Sequence, residues 1–139
     1  MVCLLPAAWL AFHFRSGHWS FSLETFALSG GIPLLIAGLG GLVSARGAAF
    51  FGSACVLAAF LGGYMAWSAS TPHPDGLLWL GYFFSLPGAA IGTLAAGLIA
   101  KKRAATTWPR IALIASAGCL AGLIVNQGGL CATVMHCAF

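Results

Sequence analysis

The sequence predicts an all-α integral membrane protein, with four transmembrane helices in an up-down bundle. Three observations carry this. Charged residues make up 6% of the 139 positions and hydrophobic ones 60%, whereas a soluble domain carries roughly 25% charged residues and is under half apolar. The mean hydropathy is +0.98. Long apolar stretches alternate with short segments that hold most of the charges and turn residues. So few charges do not cover a water-facing surface, and lipid is the expected solvent for much of the chain.

Residues 1–24 open on "MVCLLPAAWLAFHF". This stretch has no basic leader and no small-residue cleavage site, so a cleavable signal peptide is not expected. As a helix, residues 2–14 cover only about 20 Å. Lengthening it to a span buries Arg15, His13 and His18. The expectation is an interfacial or partner-bound helix, and the alternative is a fifth span. Residues 22–25, "SLET", offer a serine N-cap with Glu24 in the first turn of the first full-length span.

A bilayer core of about 30 Å takes about 20 apolar residues of helix. Four stretches qualify, at 25–43, 48–67, 77–100 and 111–130. Backbone groups in lipid find no water, so each stretch is expected to close its own hydrogen bonds as an α-helix. The first contains "SGGIP" and Pro33, and the third contains Pro87. Each proline removes a backbone donor and is expected to kink or interrupt its helix. The links are "SARG" at 44–47, the turn-rich "SASTPHPDG" at 68–76, and "KKRAATTWPR" at 101–110, the only charge run. Short links place sequential helices side by side and antiparallel.

Charge sets the expected topology. Arg46, Lys101, Lys102, Arg103 and Arg110 fall on one side of a four-span chain, and Arg15 falls on the other with Glu24 and Asp75. Basic loops favour the cytoplasm, so both termini are expected outside. The Ala/Gly-rich spans and short loops point to a bacterial inner membrane. Trp67, Trp79, Tyr64 and Trp108 lie near span ends, where aromatic rings anchor at headgroups.

The strongest pattern is a recurrence of small side chains every four residues, which share a helix face. In the third span one row is Gly88, Gly92, Ala96 and Ala100, and beside it runs Gly81, Ser85, Ala89, Thr93 and Gly97. The second span carries Ala54, Ala58, Gly62 and Ala66, and the fourth Gly118, Gly122 and Asn126. Such faces let backbones approach, and in lipid that close packing drives helix association. With two rows on the third span, one is expected to serve a neighbour in the chain and the other a partner subunit. Its bulky side holds Leu80, Phe83, Phe84 and Leu94, suited to lipid, pigment or another protein.

The chemistry-bearing residues are few. No acid or base lies deep in a span, where such groups mark ion and proton paths. Two acids in the whole chain leave no carboxylate pair, and the +4 net charge has no basic stripe with interleaved aromatics for nucleic acid. Asn126 and Gln127 are the polar pair near a span, placed to hydrogen-bond across helices. His13, His18, His73 and His136 all fall toward the outer side, and metal or haem ligation by His13, His18 or His136 is the weaker reading of them. Cys55 and Cys119 lie within spans as small apolar residues.

The last fourteen residues, "NQGGLCATVMHCAF", hold Cys131 and Cys137. They are not a C-x-x-C pair. On a continuous helix, six residues advance about 9 Å, beyond the roughly 7 Å limit for a disulfide. A Cys131–Cys137 bridge therefore needs the helix to stop, and "QGG" at 127–129 is the expected stop signal. Residues 131–139 then form an ordered outer tail. The bridge adds about 2 kcal/mol by chain entropy.

These features favour a small non-catalytic accessory subunit packed against larger subunits of an energy-converting or transport complex. Lipid, quinone or pigment is expected at most at its interface. The alternatives are a small oligomeric channel or transporter, and a membrane thiol or quinone redox protein using Cys131 and Cys137.

Overall fold

The computed structural model describes residues 27–44, 46–70, 77–102 and 107–135. The N-terminal segment, the four histidines, Cys3, Cys137 and both acids lie outside the described residues. Those described are helical, without strands. A wide turn at Ala27–Gly31 leads into α1 (Ile32–Ser44). Next come α2 (Gly47–Ser70), α3 (Leu77–Lys102) and α4 (Trp108–Leu130), which runs on into a wide turn at Cys131–Met135. Among the described residues four helices are long and apolar enough to cross a membrane: Ala27–Ser44, Gly47–Trp67, Leu80–Lys102 and Trp108–Thr133.

Helical geometry continues through both prolines. Pro33 follows the wide helical turn at Ala27–Gly31, and helical geometry runs on through it to Ser44. The preceding "SGG" forms the wide turn rather than a break. Pro87 lies inside α3, which continues through it. The stop expected at Gln127–Gly129 does not occur either. The Cys131 N–H bonds to the Gln127 and Gly128 carbonyls, and Thr133 Oγ1 donates to the Gly129 carbonyl at 2.7 Å. Those local bonds hold helical geometry across both glycines.

Specific residue pairs fix the order of the helices. Gly41 of α1 faces Phe50 of α2, while Gly97 of α3 approaches the Gly40 carbonyl and Val43 of α1. Gly52 of α2 meets Ala112 and Ser116 of α4, and Gly92 of α3 meets Gly118 and Gly122 of α4. The helices thus form a ring in the order α1, α2, α4, α3, with alternating direction along the chain. This corrects one expectation. Helices α2 and α3 are consecutive yet diagonal, and they touch little. The close approaches of α2 to α4 and of α3 to α1 override the short link between them.

Two cores result. The larger holds Ile36, Ala37, Ala54, Leu57, Leu61, Met65, Tyr82, Leu86, Ala89, Cys119 and Leu123. The smaller gathers Ala48, Ala49, Ala100, Ile111 and Ala115, at the end where α2 and α4 begin and α3 finishes. Outside, Leu35, Leu42, Ile91, Leu113, Ile124 and Val125 are exposed. An apolar exterior over an apolar core is what a lipid solvent permits and water does not.

Candidate functional site

The α3–α4 seam is the closest packing in the molecule. A side chain at Gly88 would strike Asn126 and the Gly122 carbonyl, and one at Gly92 the Gly118 carbonyl. From the other side, Gly118 faces Ala96 and the Gly92 carbonyl, and Gly122 faces the Gly88 carbonyl. The row Gly88, Gly92 and Ala96 therefore fits against the row Gly118, Gly122 and Asn126. Backbone meets backbone, because no side chain intervenes.

The second row of α3 is also used inside the chain. The Thr93 methyl fills the space that Gly40 leaves open, and Gly97 lies against α1. Gly81 faces the Tyr64 ring, and Ala89 is buried. The expectation that one row of α3 serves a partner subunit is thus corrected: α4 takes one row and α1, with Tyr64, takes the other. Phe83, expected on a free bulky side, instead packs on the core beside Tyr82, while Leu80 and Phe84 are exposed and Leu94 is half-buried. On α2 the row grades from buried Ala54 through half-buried Ala58 to exposed Ala66, and Gly62 has open space beside it.

Polar side chains gather where α2, α3 and α4 meet, toward one end of the bundle. Gln127 Nε2 donates to Tyr64 Oη at 3.4 Å, and the Ser85 hydroxyl contacts Gln127 Oε1. Ser85 Oγ also reaches the Gly81 carbonyl at 2.8 Å. One hydroxyl carries one proton, so those two acceptors share it in turn. Asn126 Nδ2 donates to the Phe84 carbonyl. Both amides of α4 therefore reach other helices. Beside them Tyr82 is fully buried, and its hydroxyl donates to the Ser29 carbonyl at 3.2 Å. The rings of Phe60, Tyr64 and Phe83 surround it at 5.7, 5.6 and 5.4 Å. This aromatic cluster is where diagonal α2 and α3 meet.

Three close approaches involve residues outside the small-residue rows read from sequence. Ser116 Oγ donates to the Gly52 carbonyl at 3.1 Å and ties α2 to α4. Gly40 and Gly41 receive Thr93 and Phe50. The signal for the first was present as Ala48–Gly52 and Ala112–Ser116, pairs four residues apart, but it was masked by so much glycine and alanine. Thr93 is the further exception. Ser53, Ser85, Ser116 and Thr133 each bond the carbonyl four residues back. Thr93 Oγ1 is buried without such a carbonyl bond, and the Cys119 thiol is the polar group beside it.

Among the described residues no three His, Cys, Asp or Glu side chains come together. Cys55 and Cys119 are free thiols, half-buried and buried. Cys131 is not free, and Cys137, the partner expected from sequence, lies outside the described residues. The arrangement builds helix seams and a hydrogen-bonded polar knot. Comparison with family models, with curated proteins and with solved structures finds no match.

Proposed function

We propose that the chain is an integral membrane protein acting as a non-catalytic accessory subunit, packed against larger subunits of an energy-converting or transport complex. One observation carries the reading. Gly62 and Gly63 lie side by side within α2, and a Cβ at either meets nothing within 4 Å. Exposed Ala59 and Ala66 flank them. Glycine weakens a helix by about 1 kcal/mol relative to alanine, and the bundle itself gains no contact from this pair. A partner helix lying against α2 is what such smallness serves. The lack of Asp, Glu, Lys, Arg and His from the middle of every span supports a packing role over proton or ion transfer.

The test is co-purification in mild detergent. Gly62→Leu with Gly63→Leu is expected to leave the unfolding transition in place and to lose the larger subunits. Retention of those subunits by the double variant sinks the assignment. A natural chain that purifies alone as an oligomer sinks it too, and moves the channel reading forward.

The same reading places Arg46, Lys101, Lys102, Arg103 and Arg110 in the cytoplasm and the C-terminal tail outside, in a bacterial inner membrane. An outside tail is in an oxidising space, and there Cys131 bridges Cys137. Peptide mapping without reductant is expected to recover the two cysteines linked. A linkage of Cys131 to Cys3, or an alkylatable Cys131, removes that staple.

A further inference from the structure

The end of the bundle where α3 finishes and α2 and α4 begin is a concentration of positive charge. Lys101 and Lys102 are exposed in the last turn of α3, Arg110 is exposed in the first turn of α4, and Arg46 is half-buried in the α1–α2 turn. The described residues contain no Asp or Glu, and in sequence Glu24 and Asp75 belong before α1 and between α2 and α3.

The backbone adds to the field. Ala48 and Ala49 of α2 pack with Ile111 and Ala115 of α4 and with Ala100 of α3, which sets the first turns of α2 and α4 beside each other. Neither first turn holds an acid, and Thr107 makes no side-chain cap bond to α4. The lysines at the end of α3 suit the negative end of its dipole. Arg110 does the reverse: it stands in the positive first turn of α4, where a cation is unfavourable. Nothing in the described fold compensates it. Exposed Trp108 stacks near Phe51 at 5.7 Å at this same end, and an indole at a span end sits at headgroup depth.

We propose that this end binds the phosphates of anionic phospholipids, with Lys101, Lys102 and Arg110 as the contacts. The charge complementarity selects the occupant: three exposed cations lie at the level where a bilayer presents phosphate, beside a tryptophan suited to that level. The proposal rests on the membrane-embedded reading, and is independent of any partner subunit.

The experiment reconstitutes the full chain into vesicles of mixed phosphatidylglycerol and phosphatidylcholine. It is then extracted in mild detergent, and the retained lipids are quantified by mass spectrometry. Phosphatidylglycerol is expected to be retained at least about fivefold over phosphatidylcholine, from the roughly 1 kcal/mol that each basic side chain gains near an anionic surface. The preference falls as salt is raised. The variant K101Q/K102Q/R110Q, checked for helical content, is expected to bring the ratio to bulk. K101Q/K102Q alone lowers it part of the way and serves if the triple variant does not fold. A natural chain that retains both lipids equally overturns the proposal, as does a preference untouched by these substitutions. A chain that does not enter the vesicles overturns the membrane reading, and this proposal with it.

Discussion

Gly92→Leu is expected to take the bundle apart. A Cβ at this position falls on the Gly118 carbonyl and presses on the Gly122 backbone. The obstacle is main chain, so no rotamer change relieves it, and α3 and α4 must separate. Overpacking a well-packed interior costs about 1–3 kcal/mol, occasionally more, and a bulky side chain against backbone belongs at the top of that range. The loss is large because α3–α4 is the most extensive helix contact among the described residues. Even Gly92→Ala is expected to destabilise, since the first carbon already collides. Gly62→Leu is the matched control, because its Cβ meets nothing within 4 Å. The measurement is the unfolding transition in detergent, tracked by near-ultraviolet circular dichroism. A Gly92→Leu protein that unfolds with the natural chain would show that α3 and α4 do not meet at this glycine.

Tyr82→Ala is expected to cost nearly as much, for a different reason. Tyr82 is 0% exposed and belongs to α3, yet it touches α2 through Phe60 and Tyr64 and reaches the wide turn that leads into α1 through the Ser29 carbonyl. Truncating a buried aromatic costs about 3–5 kcal/mol in a soluble core. In lipid the transfer part of that figure shrinks, since acyl chains are as apolar as the core. The lost packing and the cavity remain, so about 3 kcal/mol is the expectation. Tyr82→Phe keeps the ring and removes one hydrogen bond, which averages about 0.6 kcal/mol between membrane helices. The ordering decides the matter. If Tyr82→Phe destabilises as much as Tyr82→Ala, the hydroxyl and not the ring holds the turn before α1 to α2 and α3 here.

Both substitutions lie where composition offered little guidance. Two small rows were visible on α3, but any small row fits any other, so their partners could not be read from spacing. Gly88 and Gly92 turned out to seat α4, while Thr93 and Gly97 seat α1. No row was left on α3 for another subunit, and the unspent smallness lies instead at Gly62 and Gly63. The polar pair Asn126 and Gln127 stood out because amides are scarce in apolar spans. Their acceptors, the Phe84 carbonyl and the Tyr64 hydroxyl, lie 42 and 63 residues away and left no periodic trace. The "QGG" signal misled because glycine permits a helix end without requiring one. Backbone bonds from Cys131 and the Thr133 hydroxyl carry the helix past it.

The class of structure is legible in the residues alone: four apolar helices, and the gathering of basic residues in the α1–α2 and α3–α4 links. These come from local quantities, namely hydropathy over about 20 residues, turn chemistry and charge. The ring order, the diagonal placement of consecutive α2 and α3, and which glycines are filled and which are open emerge only from the packed helices. Close approach of two backbones depends on both surfaces at once, and a single row of small residues records only one of them.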